Sequence, residues 1–134
     1  MIRYMLDTNT CIYIIKQKPM QVIERFKELH ISQVCMSSIT LSELEYGVMK
    51  SSKPEQNHLA LAQFAGPMEI LPYDDDSAQS YGELRVYLER QGTPIGSLDM
   101  LIAAHALSTG CTLVTGNIRE FQRVPGLNID NWAE

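Results

Sequence analysis

Short apolar runs alternate with longer stretches of helical periodicity from one end of the chain to the other. The first run, residues 2–6, starts at Ile2, is broken only by Arg3 and stops at Asp7-Thr8-Asn9. Residues 10–15 read as helix and end before Pro19, and in residues 20–29 Val22, Ile23, Phe26 and Leu29 recur at helical spacing with charges between them. Val34-Cys35-Met36 predicts a second strand, followed by Ser37-Ser38 as helix-start residues, with Leu41, Leu44 and Val48 marking one helix face. Residues 51–54 predict a turn, 55–64 a helix closed by Gly66-Pro67, and 69–72 a third strand. Asp74-Asp75-Asp76-Ser77 reads as a helix start whose acids suit the positive end of the helix dipole. That helix is expected to turn Tyr81, Leu84, Tyr87 and Leu88 inward and to end at Gly92. Ser97 can cap a last long helix running to about Ser108, with Gly110 just past its end. Residues 112–115 and 127–129 predict the fourth and fifth strands.

Strands that alternate with helices imply a parallel sheet covered on both faces, because parallel neighbours need crossover connections. The chain has 134 residues, 45% of them hydrophobic and 20% charged, which fits one α/β domain spanning residues 1–134. It carries no internal repeat, low-complexity segment or linker. Asp7 falls where a signal peptide would need its apolar core, and every apolar run is far shorter than the ~20 residues that span a bilayer. Cys11, Cys35 and Cys111 are odd in number and widely spaced, so they are expected to be reduced core thiols in a cytoplasmic protein. His30, His58 and His105 do not supply zinc-ligand spacing. The net charge of −5 argues against binding nucleic acid by phosphate neutralisation alone. An acidic nuclease remains possible if a cation occupies its acidic cleft and basic residues group around the rim.

In an open parallel sheet, ligands bind beyond the carboxyl ends of the strands, where the strand order reverses. Asp7 directly follows the first strand, Glu43 lies in the first turns of the helix after the second, and Asn117 comes two residues after the fourth. Asp99 opens the helix that feeds the fourth strand, and chain direction alone does not fix it at that edge. Gathered carboxylates repel and raise one another's pKa, a cost that a hard divalent ion removes. An oxygen-only set of Asp, Glu, Asp and Asn suits Mg²⁺ or Mn²⁺ better than zinc, and such ions can activate water against a phosphodiester. Each residue also has a plainer reading: Asp7 as a helix cap, Glu43 and Asp99 as first-turn dipole partners, Asn117 as a turn residue.

The strings MLDTNTCIYIIKQKP, SSITLSELEYGV and IGSLDMLIAAHALSTGCTLVTGNIREFQRVPGLNIDNW, in that order, resemble VapC-type PIN-domain ribonucleases, the toxins of type II toxin–antitoxin pairs. The likeness runs from Met5 to Trp132. It implies a five-stranded sheet of order 3-2-1-4-5, which sets the first and fourth strands side by side. It further implies Asp7, Glu43 and Asp99 as Mg²⁺-binding acids, with Asn117 completing the pocket. Family members often have aspartate at the position of Asn117, and asparagine keeps an oxygen but not the charge. Glu120, on the following turn, either substitutes for it or faces solvent, and solvent is the expectation. Thr8 and Thr115 either position phosphate, water or acids, or complete strand-end turns. The implied activity is endonucleolytic cleavage of RNA, often structured RNA such as transfer RNA, by metal-activated water. The implied partners are a VapB-type antitoxin, whose C-terminal segment covers the acidic pocket, and a second copy of the chain.

Lys16, Lys18, Arg119 and Arg123 are candidates for an RNA-binding rim, with ordinary solvated surface as the alternative. Arg85 either reaches RNA or pairs with Glu89 one helical turn on. His105, in AAHAL, is expected to be buried structure, and Met49, Met68, Met100 and the tyrosines core or interface. Two rival readings are a Mg²⁺-dependent aspartyl-phosphate phosphohydrolase and a catalytically inactive PIN-like binding module. The first typically needs a second aspartate two residues after the strand-end one, where this chain has Asn9. The second is disfavoured by retention of all three acids.

Overall fold

The computed structural model describes residues 3–134, so Ile2, the expected start of the first strand, lies outside them. Five strands, β1 (Tyr4–Leu6), β2 (Val34–Ser37), β3 (Glu69–Leu71), β4 (Thr112–Val114) and β5 (Ile129–Asp130), form one sheet. Its order is β3-β2-β1-β4-β5 and every pairing is parallel. Tyr4 pairs with Val34 on one side and Thr112 on the other, and Met5 likewise with Cys35 and Leu113. The α/β class, the strand order and helices on both faces match the expectation.

Consecutive strand residues point to opposite faces, and β1 uses both. Leu6 joins Val34, Met36 and Val114 in one core, against α1 (Thr8–Lys16), α2 (Met20–Glu28), α3 (Ser38–Lys50) and α4 (Pro54–Ala65). Met5 joins Cys35 and Leu113 in the other, against α5 (Asp75–Gln91) and α6 (Ser97–Thr109). Met5, Leu6, Cys35 and Leu113 are all wholly buried. Buried on both sides, such strands read as continuous apolar runs, which is why they are short yet distinct in sequence.

Local chemistry sets the helix limits. Asp74 Oδ1 accepts from Ser77 N at 3.1 Å to open α5, and Gly92, at φ 69°, ends it in the left-handed region that favours glycine. Ala103, Ala104 and Ala106 of α6 are wholly buried. Ser77, near the start of α5, lies 3.0 Å from Ser108, near the end of α6, oxygen to oxygen, as an antiparallel pair requires. At the far edge the Arg25 guanidinium stacks 5.6 Å from the Tyr4 ring and 5.9 Å from Trp132, tying the last residues to α2.

Several local expectations are corrected. Ser97 is the first residue of α6 rather than its cap; Gly96 holds that position without a side-chain bond. Tyr87 is exposed, because Leu84 and Leu88, four residues apart, define the buried line of α5 and Tyr87 sits a step around from it. The fourth strand stops at Val114, and the fifth begins two residues later than expected. A turn at Gly126 (φ 79°) delays it, and Leu127 N is still bonded back to Val124 O. A short helix, α7 (Ile118–Phe121), stands where only a turn was foreseen. Met68 and Met100 are core, whereas Met49 is 74% exposed. All three cysteines are buried free thiols.

Thr40 is wholly buried in α3, and its Oγ1 has no hydrogen-bond partner among the described residues. An unpartnered buried hydroxyl costs about 1–3 kcal/mol. Thr40→Val keeps the shape and removes that cost, so its urea midpoint should rise. A midpoint at or below the parent's would show that the hydroxyl is satisfied.

Candidate active site

The site is built where β1 and β4 end together. Asp7 N donates to Val114 O at 3.0 Å, and Thr10 Oγ1 donates to the same carbonyl at 3.2 Å. Asp7 is only 7% exposed and caps α1, its Oδ1 accepting from Thr10 N at 2.8 Å. The cap reading and the pocket reading of Asp7 are therefore compatible: one carboxylate oxygen serves the helix and the other lies outside the cap. Thr8 Oγ1 donates to Glu43 Oε1 at 2.7 Å, linking the first turn of α1 to the second turn of α3. Ser37, the last residue of β2, starts α3 by accepting from Ile39 N at 3.1 Å, and so aims Glu43 toward the same edge.

Asp99, in the first turn of α6, is half-buried. Its carboxyl is pushed up to about 7, first by burial, then by a shared proton with Glu120 and by the charges of Glu120, Glu43 and Asp7. The residue that chain direction left unplaced is thus drawn into the company of the other three acids. Glu120 does not simply face solvent, contrary to expectation. Its Oε1 accepts from Gly96 N at 2.7 Å and its Oε2 from Asn117 Nδ2 at 3.0 Å. Burial pushes Glu120 up, but the bonds from Gly96, Asn117 and Asp99, with Arg123 nearby, outweigh it and hold the carboxyl below its usual range. The proton of the pair therefore resides on Asp99.

The other predicted residues fall into two groups. Asn117 is exposed, and its amide NH₂ serves Glu120. Thr115 is wholly buried, with Oγ1 accepting from Asn117 N at 3.0 Å, which is its strand-end turn role. Lys16, Lys18 and Arg119 are exposed. Lys16 shares a groove wall with Glu43, beside the apolar Ile12, Ile15, Leu44 and Leu61. Arg123 donates to Pro94 O at 2.9 Å and so ties α7 to the turn that leads into α6. Arg85 is engaged within its own helix, by Glu89 at 3.2 Å and Tyr81 Oη at 3.0 Å. The role of Gly96 was missed, and Glu120 was weighed as a pocket substitute but expected to face solvent. The spacing Asn117-x-x-Glu120 was the available signal, since a Glu at the third helical position characteristically folds back on the cap.

Four carboxylates around one half-buried edge, with oxygen donors only, fit a hard divalent cation. Among the described residues no three His, Cys, Asp or Glu side chains already converge on a single ion-sized point. Thr8, Gly96 and Asn117 instead hold Glu43 and Glu120 around the space. The Asp99 carboxyl, raised first by burial and then by the neighbouring acids, agrees with that fit, since a bound cation would favour its charged form.

The PIN domain family model matches residues 4–127. Over 133 residues, 99% of this chain and all of the relative, the sequence is 49% identical to the tRNA(fMet)-specific endonuclease VapC of Salmonella typhimurium. The solved structure of DNA-bound VapBC from Salmonella typhimurium aligns with a TM-score of 0.92 at 49% identity, covering 98% of this chain and 99% of that one. VapBC2 from Rickettsia felis, bound to a DNA fragment from its promoter, aligns at 0.91 and 45% identity with the same coverage. The chain belongs to the PIN domain family and, within it, to the VapC ribonucleases, the toxins of VapBC toxin–antitoxin systems.

The charge crowding has a pH signature in the metal-free protein. Because Asp99 is raised in the fold, its stabilising contribution is full below the ordinary carboxylate range and is lost as pH rises through about 7. Asp99→Asn should therefore raise the melting temperature of metal-free protein at pH 8 and leave it nearly unchanged at pH 4. An equal shift at both pH values would mean that Asp99 is not crowded.

Proposed function

We propose that Asp7, Glu43, Asp99 and Glu120 together hold a divalent cation, Mg²⁺ with Mn²⁺ as a substitute, and that this site cleaves RNA. The observation that carries the reading is geometric: Asp7 follows the strand paired with β4, Thr8 beside it holds Glu43, and Glu120 bonds to Gly96 at the start of the helix that bears Asp99. The Asp99 carboxyl, raised by burial and by these acids, agrees with it. When bound, the cation supplies charge neutralisation and Lewis acidity for hydrolysis of a phosphodiester by water. The chain's own residues orient that chemistry. Thr8 fixes one oxygen of Glu43, and Gly96 N with the Asn117 amide fixes both oxygens of Glu120. Asn117 thus acts as a support for Glu120 rather than as a replacement for the aspartate that family members often carry there. Asp99 would hold the cation as a carboxylate, its negative charge balanced by the ion.

The substrate we infer is a structured RNA of the transfer-RNA class, as named for the Salmonella relative. Lys16, Lys18 and Arg119, all exposed, are candidates to meet its phosphates. Arg85 is a weaker candidate, because Glu89 and Tyr81 already engage its guanidinium. The partners we infer are a VapB-type antitoxin, in keeping with the VapBC complexes this fold resembles, and a second copy of the chain. No helix among the described residues is long and apolar enough to cross a membrane. A cytoplasmic setting, where thiols stay reduced, suits the three buried free cysteines.

Asp7→Asn and Asp99→Asn should each abolish cleavage of transfer RNA while the far-ultraviolet circular dichroism stays that of the parent. Full cleavage by either variant would remove that residue from the site. Stripping the parent with EDTA should stop cleavage, and added Mg²⁺ or Mn²⁺ should restore it. Cleavage that persists in EDTA would reject the cation.

A further inference from the structure

We propose that His105 is a positioning residue for the acidic site, setting Asp99 against Glu43 through its hydrogen bond to Ser37. The inference rests on the reading of those acids as the cation site. His105 lies in α6, six residues beyond Asp99 and about 9 Å along the axis at 1.5 Å per residue, and it acts through the helix rather than by touching the acids. It is 1% exposed, and its Nδ1 is 2.7 Å from Ser37 Oγ, itself wholly buried.

Ser37 stands at a junction. It ends β2, and its Oγ accepts from Ile39 N to start α3, the helix that bears Glu43. The hydroxyl accepts from Ile39 and has its own proton to give to Nδ1. One serine oxygen therefore fixes the origin of the Glu43 helix and the setting of the Asp99 helix together. Among the described residues this is the only side-chain hydrogen bond joining α6 to β2 or α3. The α6 side chains that share the core with β2 are apolar, Met100, Ile102, Ala103 and Ala106, and its other side-chain bond to a neighbouring helix, Ser108 to Ser77, faces α5. Apolar packing is non-directional and tolerates rotation and sliding of a helix, whereas a 2.7 Å bond does not.

The ring is also held in orientation. Tyr73 meets it edge-on at 5.6 Å and 82°, and Tyr73 N donates to Ser38 Oγ at 3.0 Å, the first residue of α3. Burial lowers the pKa of the imidazole, although the Asp74 charge opposes it, and so favours the neutral ring whose Nδ1 can accept from the Ser37 hydroxyl. A histidine needed only to fill space would not have to be aimed at the one hydroxyl that starts the neighbouring helix.

Asparagine and leucine at this position share the same branching. Only asparagine can place a hydrogen-bonding atom where Nδ1 stands. The test uses metal-free full-length protein titrated with Mn²⁺ by calorimetry, and cleavage kinetics on transfer RNA. His105→Leu should weaken Mn²⁺ binding by about tenfold, as loss of a group supporting a metal ligand does, and lower kcat with KM for RNA unchanged. His105→Asn should recover most of both. Ser37→Ala, which cuts the bond from the other side and also removes the α3 cap, should lose at least as much, and adding His105→Leu to it should cost nothing further. If His105→Leu does not fold, His105→Ala takes its place in the comparison with His105→Asn. Parental Mn²⁺ affinity and kcat in Ser37→Ala or His105→Leu would overturn the proposal, as would His105→Asn performing no better than His105→Leu. Asp99→Asn serves as the control: if it too binds Mn²⁺ like the parent, the acidic site itself is misassigned.

Discussion

Like charges crowded into a half-buried space repel one another, and the edge where β1 and β4 end together is organised around that repulsion. Among the described residues, Asp7, Glu43, Asp99 and Glu120 have no Lys or Arg partner within salt-bridge distance. Neutral donors hold them: Thr10 N on Asp7, the Thr8 hydroxyl on Glu43, Gly96 N and the Asn117 amide on Glu120. A neutral donor orients a carboxylate without cancelling its charge. The site thus keeps its negative potential, which the raised Asp99 carboxyl and the nearby Arg123 relieve only in part.

The sheet makes the crowding possible by its connectivity. With the order β3-β2-β1-β4-β5, the two strands that flank the reversal are the first and the fourth, far apart in sequence. Residues following their carboxyl ends meet because the backbones pair, whatever the side chains prefer. Asp7 and Asn117 arrive by this route. Glu43 arrives through the Ser37 junction, and Asp99 through a turn that Glu120 grips at Gly96 and Arg123 grips at Pro94.

The fold was largely legible in the sequence because fully buried parallel strands leave compact apolar runs, as at residues 34–36, between periodic helices. The long helices announced their ends through Asp74, Gly92 and Gly110. Legibility failed where tertiary contact decides. Tyr87 has the chemistry of a core residue, but the line through Leu84 and Leu88 left it outside. Ser97 is a better capping residue than Gly96 in isolation, yet the backbone of Gly96 is needed by Glu120. Asp7, Glu43 and Asn117 could be placed at the edge by chain direction alone, whereas Asp99 needed the family likeness. Glu120 was misjudged because its partners lie 3 and 24 residues away and only the folded turn brings both to it.

The two aspartates differ in what else they do, and this bears on how such a toxin loses its harm. Asp7 starts α1, so most replacements would also damage the protein; only residues that cap equally well, asparagine and serine foremost, leave a sound scaffold. Asp99 starts nothing, since α6 begins at Gly96 without a side-chain bond, and its removal eases repulsion. On the proposed reading of these acids, a cell under selection to disarm the toxin while keeping a folded binder for its antitoxin would find the broader mutational exit at Asp99.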